Sequence, residues 1–331
     1  MTRAAVLSRA AVRLGAAGVV VALLAACGAA PGETGTPAPA PVVPEPLNVA
    51  DPAVVPSPSP QPTCNPVASF RPPASLPAPN RMPAGSTMAR IVRRGRVIVG
   101  IDQNAYLLSY RDPTTGALAG FEIDLAEAIS RALFGTPDRV QYRHITTVDR
   151  IPVLQRREVD MVIRTVTMNC ERWQQVNFST EYLRARQRIL VNKGSGITSI
   201  QDIAARHGKV CATKGSTSIA KVAAVPGVVP VSTDITLDCL VLLQQGQVDA
   251  VSTNDTILLG IAAQDPGTEL VGPPMSSEPS GVAIPRDDRD LVRFVNGVLA
   301  RMRSSGALAR SYDRWLGRLG PAPTPVAVYR D

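Results

Sequence analysis

The chain of 331 residues carries 35 Lys and Arg against 27 Asp and Glu, a formal net charge of +8, with 45% hydrophobic and 4% aromatic residues. After residue 27 no apolar run reaches the ~18 residues of a membrane-spanning helix, and neither G-x-y triplets nor heptads occur, which excludes polytopic membrane, collagen and coiled-coil classes. Only four of the 35 cations are lysines; an arginine excess beside abundant alanine is the mark of a GC-rich genome, and no nucleic-acid partner is expected.

The first element is an address. Arg3, Arg9 and Arg13 precede an apolar stretch over residues 14–26, the basic and hydrophobic regions of a signal peptide spanning residues 1–26. The run ends Leu24-Ala25-Ala26-Cys27, which resembles the bacterial lipobox. That resemblance implies cleavage before Cys27 and lipidation of its thiol, leaving the mature chain anchored on the extracytoplasmic face of the cell membrane. Residues 27–86 follow as a Pro-rich linker, holding 17 of the chain's 30 prolines. Proline fixes φ and removes amide donors, so this stretch is expected to be an extended tether without ladders or a core.

The globular part is expected from Thr87. Residues 96–101 read as a buried strand, and Phe121, Leu125, Ile129 and Leu133 recur every four residues as one face of a helix. Residues 140–142 and 160–163 read as further strands, with a helix starting at Arg150-Ile151-Pro152. The pattern restarts near residue 188. A helix opens at residues 198–203, and the strand 210–213 runs into the turn Lys214-Gly215-Ser216-Thr217. Helix 237–245 and strand 248–251 come next, then strand 282–284 and helices over 287–304 and 306–316. Strands alternating with helices argue for α/β layers with parallel pairing. The expected architecture is two lobes facing a cleft: lobe 1 in residues 87–187 and 274–331, lobe 2 in residues 188–273.

Besides Cys27 there are four cysteines, Cys64, Cys170, Cys211 and Cys239, and an exported chain is expected to oxidise them in one of three pairings. Cys211 and Cys239 fall in the same lobe, which favours that pair and leaves Cys64 with Cys170. No C-x-x-C spacing occurs and neither His144 nor His207 is near a cysteine pair. No metal or cofactor is expected.

Residues 160–172 (DMVIRTVTMNCER) and 176–182 (VNFSTEY) resemble the signature of family-3 extracellular solute-binding proteins, the polar-amino-acid receptors of ABC importers. Residues 120–125 (GFEIDL), 209–217 and 248–255 extend the likeness, which covers roughly residues 90–316. Joined to the lipobox, the chain is similar to the glutamine/glutamate-binding lipoproteins of actinobacteria. The resemblance implies the periplasmic-binding-protein type II fold and a monomeric receptor, not an enzyme. It also implies a membrane permease with its cytoplasmic ATPase as partner.

An α-amino acid presents a planar carboxylate beside an ammonium, and a guanidinium meets a carboxylate with two parallel hydrogen bonds. The resemblance assigns the α-carboxylate to Arg172, at a helix start where amides also favour an anion, with Thr167 and Thr217 as further donors. It assigns the ammonium to Asp255 and the Thr165 carbonyl. Arg164 stands where the family position is usually small, and Lys214 precedes the second-lobe turn. Two cations without an obvious internal partner favour an acidic ligand side chain, since an uncompensated buried charge is costly. Asp102 and Tyr106, near the end of the first strand, are candidates to cover the ligand. Thr147 and Val148 make a small wall where relatives often carry aromatics. The ligand is expected among glutamate, aspartate, glutamine and asparagine. Two other roles share the fold: a sensor reporting to a membrane partner, and a dehydratase with Glu181 as its nearest unassigned carboxylate.

Overall fold

The computed structural model describes residues 44–56, 62–323 and 325–331; the expected signal peptide and Cys27 lie outside the described residues. The compact unit Glu45–Asp331 contains both lobes. In lobe 1 a five-stranded sheet runs, in spatial order, Val140–His144, Val97–Ile101, Met161–Val162, Ala283–Pro285 and Val176–Phe178. The first three pair in parallel, as the alternating pattern requires, whereas Ala283–Pro285 is antiparallel to both its neighbours. Helix Phe121–Phe134 turns Phe121, Leu125, Ile129 and Leu133 into the core, none more than 1% exposed. It starts after Gly120, where φ is 130° and a Cβ would stand 2.2 Å from the Leu108 carbonyl oxygen; only glycine fits that entry. Helices Arg289–Ser304 and Ala307–Leu316 bury Phe294, Leu299 and Leu316 in the same core, so the C-terminal helices return to lobe 1.

Lobe 2 repeats the plan with strand order Val229–Thr233, Lys209–Thr213, Ala250–Asn254, Leu183–Asn192 and Thr268–Ser280. Its first three strands are parallel and its last two join antiparallel. Alternate residues of a strand face opposite sides, and here both sides are packed: Leu190 belongs to one apolar cluster, Ile189 and Val191 to the other. Cys211 and Cys239 are bonded inside the first cluster, both 0% exposed.

Two places depart from the expected organisation. The lobes exchange at strands Leu183–Asn192 and Thr268–Ser280, so the second lobe reaches beyond residues 188 and 273 on both sides. The cause is that each crossing is made by a continuous long strand, tied to its partner by the Tyr182 N–H donating to the Ser280 carbonyl at 2.9 Å. The Pro-rich segment also makes ladders and core contacts after all. Ala50 bridges Ser232, Ala68–Ser69 pairs in parallel with Val328–Tyr329, and Phe70 is buried in lobe 1. The residues between the prolines keep their amide donors, and Val49 and Phe70 bring apolar surface.

Candidate functional site

The cleft between the lobes encloses about 710 Å³, its open mouth included. The lobes touch across it: the Thr167 and Thr217 hydroxyls lie 3.4 Å apart, and a Cβ on Gly260 would stand 2.3 Å from the Tyr106 carbonyl oxygen. The closed arrangement therefore depends on a glycine in the second-lobe helix Asp255–Gln264.

Two arginines of lobe 1, Arg164 and Arg150, line the cleft; Arg172 is not part of the lining, although its charge acts on Arg150. Arg164 lines the cleft, 5% exposed, but its charge is answered: Nη2 donates to Asp102 at 2.6 Å and Nη1 to the Thr147 hydroxyl at 2.8 Å. This corrects the expectation that it lacks an internal partner, and it makes Asp102 the counter-charge of Arg164. Arg172 is partly buried on the short helix Cys170–Trp173, with Nη1 on the Thr167 carbonyl at 2.9 Å. The Arg172 N–H is taken by the Asn169 side chain at 2.8 Å, so the amide expected to greet an anion serves as a helix cap instead. Arg150 is 6% exposed and lines the cleft; its Nε donates to the Thr147 carbonyl at 2.9 Å. Among the described residues neither Arg150 nor Arg172 forms an ion pair. Burial, and then the neighbouring Arg172 and Arg164 charges, push the Arg150 pKa well down. A guanidinium does not give up its proton in a protein, so this pressure marks a site short of negative charge.

Behind the arginines sits a buried acid. Glu122, 1% exposed, accepts from the Tyr182 hydroxyl at 2.5 Å and the Thr165 N–H at 2.7 Å. Burial raises its pKa, although those two hydrogen bonds and the Arg164 charge oppose the rise. Thr165 has a φ of 43°, a left-handed conformation that costs a β-branched residue roughly 1–3 kcal/mol; the two acceptors on its N–H help to hold it there. On the second-lobe side, Glu278 is fully buried and accepts from Lys221 at 2.9 Å, Ser276 at 2.7 Å and Thr217 at 3.0 Å. Burial alone would raise its pKa, but the Lys221 and Ser276 bonds bring it below the usual glutamate value.

The cleft brings together Asp102, Tyr106, Arg164, Thr165, Thr167 and Thr217 of the expected residues. Lys214 is exposed and does not line it. Asp255 is buried, but both its oxygens are engaged by Arg186, from the N–H at 3.1 Å and Nε at 3.2 Å, and it is not part of the cleft wall. Arg150 and Glu122 line the cleft and are residues that sequence reasoning missed; Glu278 stands behind the wall, on the Thr217 hydroxyl. The signal for Glu122 lay inside the matched segment GFEIDL, and that for Arg150 in the helix start Arg150-Ile151-Pro152, outside the matched stretches.

Residues 97–318 match the bacterial extracellular solute-binding proteins, family 3, and the chain belongs to that family of binding proteins, which are not enzymes. It is 32% identical to the ABC transporter glutamine-binding protein GlnH of Bacillus subtilis over 231 residues, covering 70% of this chain and 84% of that one. It is 30% identical to the glutamate-binding protein GluB of Corynebacterium efficiens over 246 residues, covering 70% and 83%. Among solved structures, an ancestral arginine-binding protein bound to glutamine superposes with a TM-score of 0.60 at 33% identity, over 68% of this chain and 99% of that one.

Proposed function

We propose that this protein is a lipid-anchored extracytoplasmic receptor that closes on an acidic amino acid, glutamate or aspartate, and delivers it to an ABC importer. The observation that carries this reading is the unpaired, buried Arg150 guanidinium on the cleft wall, a second cation beyond Arg172. With the α-carboxylate taken by Arg172, Thr167 and Thr217, a second carboxylate on the ligand's side chain answers Arg150. The ammonium then has the Asp102 and Glu122 carboxylates of the same wall. The glutamine- and glutamate-binding relatives support an amino-acid ligand, and the Leu24-Ala25-Ala26-Cys27 motif supports the anchor.

Calorimetry with glutamate, aspartate, glutamine and asparagine tests the reading on the wild type and on Arg150→Met. The wild type should prefer glutamate to glutamine, and the variant should lose roughly ten- to a hundredfold of that preference, the about 1.5–3 kcal/mol of a hydrogen bond to a charged group. A wild type indifferent to side-chain charge, or a variant with its preference intact, contradicts the acidic ligand.

A further inference from the structure

The helix that carries Arg172 is a single turn, Cys170–Trp173, far short of the length at which a helix stands by itself in water. Its place is therefore set by what its residues touch. From lobe 1, the Asn169 side chain caps it, and the Phe178 ring packs on Trp173 at 5.3 Å between ring centres. The other anchors come from outside residues 97–318, the stretch matched to the family. Cys170 is bonded to Cys64. The Trp173 indole donates to the Pro66 carbonyl at 2.7 Å, its ring meets Phe70 edge to face at 6.4 Å, and the Arg330 guanidinium lies 3.7 Å from its centre. Phe70 and Arg330 adjoin the parallel pair Ala68–Ser69 and Val328–Tyr329, where Arg330 Nε donates to the Ala68 carbonyl at 2.8 Å. That pair is fastened to lobe 1 by the Ser69 hydroxyl on the Phe178 carbonyl at 2.6 Å and by Asn296 on the Phe70 carbonyl at 2.7 Å.

We propose that residues 64–70 and 328–330 form a clasp that positions Arg172 for the ligand's α-carboxylate, with Cys64, Pro66 and Phe70 as its positioning residues. The inference rests on the reading of the protein as an amino-acid receptor. Arg172 lies between the two clasped residues, with Cys170 two positions before it and Trp173 directly after it. Among the described residues its guanidinium makes one hydrogen bond, to the Thr167 carbonyl at 2.9 Å, so its aim depends on the backbone beneath it. A side chain held in its bound geometry before the ligand arrives costs less to order on binding. The clasp is also accessible. Cys64 is exposed, whereas Cys211 and Cys239 are both 0% exposed. A reductant must reach a disulfide sulfur to open the bond, so Cys64–Cys170 opens first and the support of Arg172 can be withdrawn with lobe 2 intact.

Displacement calorimetry compares glutamate with its α-amide, which keeps the ammonium and the side-chain carboxylate but offers Arg172 no charge. It is run on the wild type, on Cys64→Ala with Cys170→Ala, and on the wild type treated with tris(carboxyethyl)phosphine, which takes an oxygen from water as the disulfide becomes two thiols. Opening the disulfide by either route should weaken glutamate about fivefold, within the cost of ordering one long side chain, and the α-amide hardly at all. The ratio between the two ligands then narrows. Hydrogen exchange at the Arg172 and Trp173 amides of the ligand-free protein should quicken. A lower melting temperature with the ratio unchanged makes the disulfide structural only and overturns the clasp, and so do equal losses for both ligands. A wild type that binds neither ligand overturns the receptor reading; the exchange rates still show whether the clasp holds the helix, and unchanged rates overturn it.

Discussion

Lobe 1 brings Asp102, Glu122, Arg150 and Arg164 to the cleft wall, whereas the second-lobe wall is built from neutral residues such as Thr213, Ser216, Thr217 and Asn254. The division has a physical consequence. Burying a charge costs several kcal/mol unless it is paired, and lobe 1 meets that cost within itself for all but Arg150, through Arg164 on Asp102 and the hydrogen bonds around Glu122. Hydroxyls and amides lose far less on leaving water. Lobe 2 can therefore swing onto a ligand already held by lobe 1 without stripping water from charges of its own. Charge belongs to one wall and neutral donors such as Thr217 to the other.

If that division is right, substitutions in the two lobes should fail differently. The largest effect is expected from Arg172→Ala on lobe 1, which leaves a ligand carboxylate without its guanidinium at a cost of about 2–5 kcal/mol. Amino-acid binding should become undetectable by calorimetry. The ligand-free melting temperature should hardly move, because the side chain makes one hydrogen bond, to the Thr167 carbonyl. A melting temperature that collapses with binding would make Arg172 a structural residue. A smaller loss of a different kind is expected from Gly260→Ala on lobe 2. The new methyl would meet the Tyr106 carbonyl oxygen at 2.3 Å, so the lobes cannot close fully, and affinity should fall roughly tenfold. Alanine is the better helix former by about 1 kcal/mol, so the ligand-free protein should melt at the same temperature or higher. Opposite signs in calorimetry and calorimetric melting would separate closure from stability.

The same division explains what could be read from the sequence. Arg172 and Thr167 share one short motif and lie within one stretch of chain, so pattern alone places them together. The alternation of strands and helices likewise gave the α/β layers, and a C-terminal tail too short for a domain of its own pointed back to lobe 1, where its helices pack. Arg164 shows where pattern stops: its partner Asp102 is 62 residues away, and nothing local distinguishes a paired guanidinium from a free one. Asp255 fails for the same reason, being engaged by Arg186 from a neighbouring strand 69 residues earlier. Arg150 reads as the charged start of a helix. Only the packing of the short turn Val148–Arg150 against the cleft makes it a buried cation. The Pro-rich segment misleads through composition, because the contacts that dock it come from the few residues between prolines.

The smallest expected effect concerns Glu122, the one wall carboxylate that forms no ion pair among the described residues. Burial holds its pKa above the ordinary glutamate value in the folded state. Between the ordinary value and the raised one, the unfolded chain has lost this proton while the native protein keeps it. The group's contribution to stability is therefore complete below the ordinary glutamate range and is lost as pH rises through the folded pKa. Glu122→Gln retains an oxygen to accept from the Tyr182 hydroxyl and the Thr165 N–H and removes the titration. The variant should melt about 2–4 °C above the wild type at neutral pH, the shift expected for roughly 1 kcal/mol in a domain of this size, and the two should converge near pH 4. Its affinity for glutamate should move the other way wherever the wild-type carboxyl is ionised, because a neutral amide offers the ligand's ammonium no charge. A variant that gains stability and also keeps full affinity would remove Glu122 from the ligand's surroundings and leave Asp102 as the only carboxylate of the lobe-1 wall that an ammonium could meet.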